Sequence, residues 1–324
     1  GYAKYAEAEK LMLEDGYLAP IYQKASAYLE KDYVSGIVNN SWGADYTYTY
    51  ADVDKDDKVL NLATSSDIPT LDLSKATDQQ SFQTANTTME GLTRVDAEGK
   101  VQPGVAESWE TSEDGLTWTF KLRKNSTWSN GTPVTAHDFE YSWKRTLTPE
   151  TASEYSYIMA DIVGSSTKEI QENGVDGVGV KALDDYTLEV KLNRPVAYFA
   201  ELVSFQVFFP QNQAFVESCG DAYGSAADKQ LYNGPFTLTS WKMEDQFTME
   251  KNPNYWDAAN VKLNKINTKV VKDTGAEVSL YEDGQIDRAG LSSDYVDKYK
   301  DSKEFHTRDV ASVFMLQVNG GNNK

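Results

Sequence analysis

The brevity of its apolar runs restricts this chain more than any other feature. Val203–Pro210 is typical of the longest. Runs of that length cannot build a transmembrane helix. They suit short, half-buried strands instead, and TWTFKL at 117–122 alternates strictly, as such a strand should. Turn signals punctuate the same region, at Glu113-Asp114-Gly115 and Asn130-Gly131. Short strands are expected at VAESWETS, TWSNG, LYNGPFTLTSW and FTMEKNPNYW, with a hairpin in VGVKALDDYTLEVKLN turning at Asp184-Asp185.

Helical spacing is interleaved with these strands. Tyr5, Ala8 and Met12 fall at i, i+3 and i+7, so residues 2–15 read as a helix stopped by Gly16. SFQTANTTMEG reads as a second helix, AYFAELVSF as another, and GAEVSLYEDGQID as a helix and turn. Thr135 and Asp138 resemble a helix start, Asp138 replacing the usual Glu of a capping box. The carboxyl end reads as a strand followed by a polar Gly/Asn-rich tail. The fold class is therefore α/β, a mixed protein of many short strands, without internal repeats.

Composition excludes several functions. Acidic residues number 50 and basic residues 31, a net charge of −19, which disfavours nucleic acid and anionic membrane surfaces as partners. One cysteine, Cys219, rules out an intrachain disulfide framework or a zinc ribbon, and only two histidines, His137 and His306, are present. Asp52, Asp54 and Asp56 mimic the start of a calcium loop, but Asp57 stands where that loop needs Gly and Ala63 where it needs Glu. The cluster reads better as a solvated linker over 52–58. Gly174–Gly179 lacks dinucleotide-binding spacing, and no P-loop, nucleophile elbow or zincin motif occurs. No metal site and no cofactor are expected. His137 and Asp138 are adjacent on a helix start and cannot face each other as a catalytic pair. Pairs among so many carboxylates arise by chance, so an acid–base enzyme is the weaker reading. The 20 tyrosines serve the core for the most part. Tyr155 and Tyr157 stand out because TASEYSYIM is irregular and follows a helix, and a tyrosine offers both an apolar face and a hydroxyl.

The stretch PGVAESWETSEDGLTWTFKLRKNSTWSNGTPVTAHDFEYSWKR resembles the signature region of the extracellular solute-binding proteins of peptide ABC transporters, the oligopeptide-binding family. GVKALDDYTLEVKLNRPVAYF, LYNGPFTLTSW, EKNPNYWD and SLYEDGQID resemble further segments of that family in the same order, so that the likeness runs over 59–319 almost continuously. The first 50 or so residues resemble instead that family's carboxyl end, joined through Asp52–Lys58 to what looks like its mature amino end. The resemblance thus implies a circular permutant with one lobe deleted, an engineered arrangement. Its implied parts are a carboxyl-terminal segment over 1–51, a junction over 52–58, and a main lobe over 59–324. That lobe is a periplasmic-binding-protein-like mixed sheet with a smaller α/β subdomain inside roughly 100–230, and the second large lobe is absent.

By the same resemblance, the function implied is the peptide-binding component of an ABC import system. Extended oligopeptides would be held by main-chain hydrogen bonds in an interlobe cleft. The cleft-lining positions it implies are Ser65, Ser66, Asp67 and Ile68, the loop with Tyr155 and Tyr157, and the Asn233-Gly234 turn. Plainer roles stand beside these: Asp67 as the cap of a turn, and Asn233-Gly234 as turn chemistry. The implied partners are an oligopeptide and, for the intact protein, a membrane permease. The expected form is a monomer, extracellular and anchored through a lipid on a cysteine outside this sequence. An export signal is expected to have been removed or never to have belonged to it. The alternatives are an engineered scaffold or sensor fragment with little ligand binding, or a relative that binds a different small solute.

Overall fold

A computed structural model describes residues 2–317 apart from Tyr17, Ser41, Trp42 and Ala97, and omits the side chains of Tyr2, Lys24 and Ala311. The expected polar tail after Gln317 lies outside the described residues. Two compact units result: residues 1–30 with 289–324, and residues 31–288.

In the first unit a helix over Tyr2–Glu14 precedes the long strand Leu18–Glu30. That strand pairs antiparallel with Phe305–Gln317 and carries Arg288–Leu291 on its other edge. The pairing slips twice, between Pro20 and Tyr22 and between Gln23 and Ala25. Proline has no N–H to give a ladder, so a break beside Pro20 is expected. Tyr22 stacks on Phe314 across the ribbon with ring centroids 4.8 Å apart.

The second unit holds two four-stranded sheets. One runs in the order 180–184, 187–191, 117–122, 106–111, all antiparallel. The alternation of TWTFKL is realised there: Trp118, Phe120 and Leu122 are buried. The helix Ala136–Leu147 packs against this sheet. Its start is fixed by Asp138, whose carboxylate accepts the Thr135 main-chain N–H at 2.8 Å, as a capping box requires. At Asn130-Gly131 the Asn130 side chain accepts the Thr132 N–H at 3.0 Å while Gly131 takes φ +86°, a region costly for any residue with a Cβ.

The other sheet runs 236–242, 246–251, 265–270, 59–64. Its last pair is parallel, with Thr64 opposite Val270. The strand Val59–Thr64 is therefore an edge strand. Leu60 and Leu62 point into the core, which continues beneath the helix Gln79–Thr88 through Phe82 and Ala85.

The two units are bounded differently from the segments that the resemblance implies at 51 and 58. Residues 31–58 belong with the body of the second unit, and the break falls at Glu30. The charge cluster is ordered rather than a free linker. Asp52–Val53 pairs with Val34–Ser35, and Val53 is fully buried. The Asp52 carboxylate is engaged by Lys58 at 3.0 Å and Lys262 at 3.4 Å, which lowers its pKa from the usual range. Lysine ammonium groups thus stand where the calcium-loop spacing would call for a cation.

Candidate functional site

The exposed edge of Val59–Thr64 is defined by direction. The Thr64 carbonyl accepts Val271 N–H at 2.7 Å on the sheet side. Alternate residues along a strand turn their main-chain groups the same way. Asn61, Ala63 and Ser65 therefore face away from the sheet. Asn61 confirms this, since its N–H and C=O both reach Asp287. Among the described residues, the outward main-chain groups of Ala63 and Ser65 have no hydrogen-bond partner. Unpaired edge groups of this kind template an added strand.

A recess of about 220 Å³ opens beside this edge. Phe247, Met249, Ile266 and Thr268 form its floor from the sheet, and Leu62 to Ser66 one wall. The opposite wall is polar: Gln79, Gln80 and Gln83 from the helix, with Asp45, Tyr46 and Tyr48. These walls are braced. The Thr64 hydroxyl donates to Gln80 Oε1 at 2.8 Å. Gln83 grips the peptide of Tyr46 at both ends, accepting its N–H at 2.9 Å and donating to its carbonyl at 2.9 Å. Asn86 donates to the same carbonyl at 3.1 Å and to Thr47 Oγ1 at 3.0 Å. The Arg288 guanidinium lies 4.3 Å from the centre of the Tyr46 ring, within cation–π range.

The residues singled out from the sequence divide into four pairs. Ser65 and Ser66 lie in an exposed bend and line the recess. Asp67 is spent on the turn: Oδ1 accepts Ile68 N–H at 2.7 Å and Trp241 Nε1 at 2.8 Å, and Oδ2 accepts Glu244 N–H at 2.7 Å. Ile68 is 2 % exposed and belongs to the core. Tyr155 and Tyr157 lie outside the recess, and Tyr155 packs on the helix that walls it. Tyr155 packs edge-on against Phe82 at 5.2 Å and stacks on Phe205 at 5.8 Å. Burial raises its phenol pKa, with Tyr157 and Glu154 adding to the shift. The Tyr157 ring, 5.7 Å from that of Tyr155, is largely exposed.

Asn233 and Gly234, expected to line the cleft, are buried. Asn233 is 1 % exposed, and its side chain is bonded to both main-chain groups of Glu90. Gly234 donates its N–H to the Thr88 carbonyl at 3.0 Å, and a Cβ there would fall 2.5 Å from Met89 N. Close backbone approach, not ligand access, explains the Asn-Gly pair. The sequence reading missed Ala63, Gln79, Gln80 and Gln83. The polar pairing of Gln79, Gln80 and Gln83 at helical spacing was the available signal.

A buried carboxylate whose pKa is raised lies elsewhere. Glu90 accepts the Tyr255 hydroxyl and Trp256 Nε1, each at 2.5 Å, with Arg94 3.7 Å away. Burial drives its pKa up against those donors. Arg94 in turn binds Asp257 at 2.9 Å, and Arg123 covers the Trp256 ring at 3.7 Å. The group anchors the NPNYWD turn to the end of the Gln79–Thr88 helix. Among the described residues no cluster of three metal-ligating side chains occurs, and no helix is long and apolar enough to cross a membrane.

Residues 100–324 match the profile of the bacterial extracellular solute-binding proteins, family 5. The chain is 38 % identical over 249 residues to the oligopeptide-binding protein OppA of Bacillus subtilis, covering 75 % of this chain and 46 % of that protein. It is 35 % identical over 263 residues to the dipeptide-binding protein DppE of the same organism, covering 81 % and 48 %. Among solved structures, the substrate-binding domain of an oligopeptide ABC transporter from Bacillus anthracis superposes with a TM-score of 0.75 at 47 % identity, covering 77 % of this chain and 48 % of that one. Listeria monocytogenes OppA bound to peptide gives 0.75 at 41 %, covering 77 % and 49 %. The chain spans about half the length of the curated relatives it matches. With two thirds of its residues inside the family profile and the same mixed-sheet lobe, the chain belongs to the bacterial extracellular solute-binding proteins of family 5, a family of binding proteins rather than of enzymes.

Proposed function

We propose that this chain is the peptide-receiving part of the solute-binding component of an ABC importer, without enzymatic activity. It takes an extended oligopeptide as an added strand on the edge of Val59–Thr64. The observation that carries this reading is the pair of unpartnered outward main-chain positions, Ala63 and Ser65, beside a recess walled by glutamine and tyrosine. Main-chain bonds give affinity without regard to sequence, and polar walls accept varied side chains or bridging water. Ser66 and the exposed Tyr157 ring extend the receiving face, Tyr157 being held through Tyr155 to the helix that walls the recess. In the longer protein the remaining length closes over the ligand, a permease is the membrane partner, and a lipid anchor holds the receptor outside the cell.

Native mass spectrometry of the chain with a mixed oligopeptide pool tests the reading. Peptide adducts are expected, and they should weaken in Ser65→Pro, which removes one outward N–H. Thr64, the residue before the new proline, is already extended and tolerates it. A chain that takes up no peptide, or a folded Ser65→Pro that binds as well as the parent, overturns it.

A further inference from the structure

The free edge is shorter than the strand that offers it. Asp287, 1 % exposed, occupies the first outward position. Its Oδ2 accepts the Asn61 main-chain N–H at 2.6 Å and the Asn61 side-chain amide at 3.2 Å. Its own N–H donates to the Asn61 carbonyl at 2.7 Å. Both outward main-chain groups of Asn61 are thereby consumed by one residue. The other carboxylate oxygen is fixed as well: Oδ1 accepts the Tyr33 hydroxyl at 2.7 Å and lies 3.5 Å from Lys55 Nζ. Lys55 Nζ sits 3.9 Å above the Tyr33 ring. Asp287 is therefore held from three sides and cannot swing off the edge without stranding a buried charge.

We propose that Asp287 is a register stop, a specificity-determining residue for the ligand strand. This rests on the edge-binding reading above. A peptide strand laid along the edge meets unpartnered groups at Ala63 and Ser65 and a closed position at Asn61. Its main chain can contribute only two N–H groups to this edge, two positions apart, because strand pairing uses alternate residues. Beyond them the peptide ends or turns away from the sheet. One more main-chain bond at Asn61 would require the loss of at least two bonds to Asp287 and the exposure or orphaning of its carboxylate, so the exchange is unfavourable. The edge thus fixes where along its length a peptide is gripped, while the side chains of that peptide stay free to vary.

The test takes the tightest-binding member of a synthetic hexapeptide pool and remakes it with one backbone amide N-methylated at a time. Binding of each analogue to the chain is measured by calorimetry. Roughly three- to tenfold weakening is expected at two amides, i and i+2, with the others near the parent value. Weakening at a third amide in the same alternation, i+4, overturns the stop but leaves edge binding standing. Binding that no methylation weakens, or no binding by any pool member, overturns edge binding and the stop with it. The main-chain N–H of residue 287 stays on the Asn61 carbonyl whatever its side chain, so the scan on the parent chain decides.

Discussion

The side chain of Asn233 holds the peptide of Glu90 at both ends, accepting its N–H at 3.0 Å and donating to its carbonyl at 2.9 Å. The two residues are 143 positions apart in the chain. The clamp ties the loop before the strand Phe236–Lys242 to the end of the helix Gln79–Thr88. Asn233→Ala leaves a buried donor and a buried acceptor unpaired, at a cost of about 2–4 kcal/mol. Urea denaturation checks this, and a loss under about 0.5 kcal/mol would contradict it.

Glu90 itself should give the fold a distinctive pH dependence. Burial raises its folded pKa above the ordinary glutamate value, so the folded state holds that proton more tightly than the unfolded chain does. Its contribution is then greatest below about pH 4.3, the unfolded value, and falls as pH rises toward the folded value. In Glu90→Gln that slope is absent. The stability difference, parent minus variant, should decline with rising pH over this window and level off above it. A difference that grows with pH would show that the Arg94 charge and the Tyr255 and Trp256 donors outweigh burial.

Arg145 and Asp72 form a second buried lock. Two parallel bonds of 2.7 and 2.8 Å join guanidinium to carboxylate, and Gln211 accepts a third at 2.8 Å. Asp72→Ala strands the guanidinium and should cost about 3–5 kcal/mol. Arg145→Lys keeps the charge but not the planar fork and should still destabilise measurably. Because Asp72 is 2 % exposed, the loss should change little between low and high salt, which denaturation at two ionic strengths would reveal.

Local pattern carried much of this structure into view. The alternation of TWTFKL gives the buried face of Trp118, Phe120 and Leu122 directly. Thr135 and Asp138 mark a helix start because the capping chemistry spans only three residues. Ser65 and Ser66 came from likeness to a family rather than from any periodicity. What stayed hidden depends on partners remote in sequence. Asp287 reaches Asn61 across 226 positions, so nothing near either residue signals the closed edge. Asn233-Gly234 carries the local signature of an exposed turn, yet tertiary contact buries it against Glu90. The 52–58 cluster reads as solvated charge until Val34–Ser35 and Lys262 are folded onto it.

The most direct test of the account is residue-level amide exchange by NMR at Asn61, Ala63 and Ser65, with and without the mixed oligopeptide pool. Ala63 and Ser65 should exchange freely alone and gain protection with peptide, while Asn61, already bonded to Asp287, should be protected in both states. Peptide uptake that leaves Ala63 and Ser65 unprotected would contradict the claim that this edge receives the ligand.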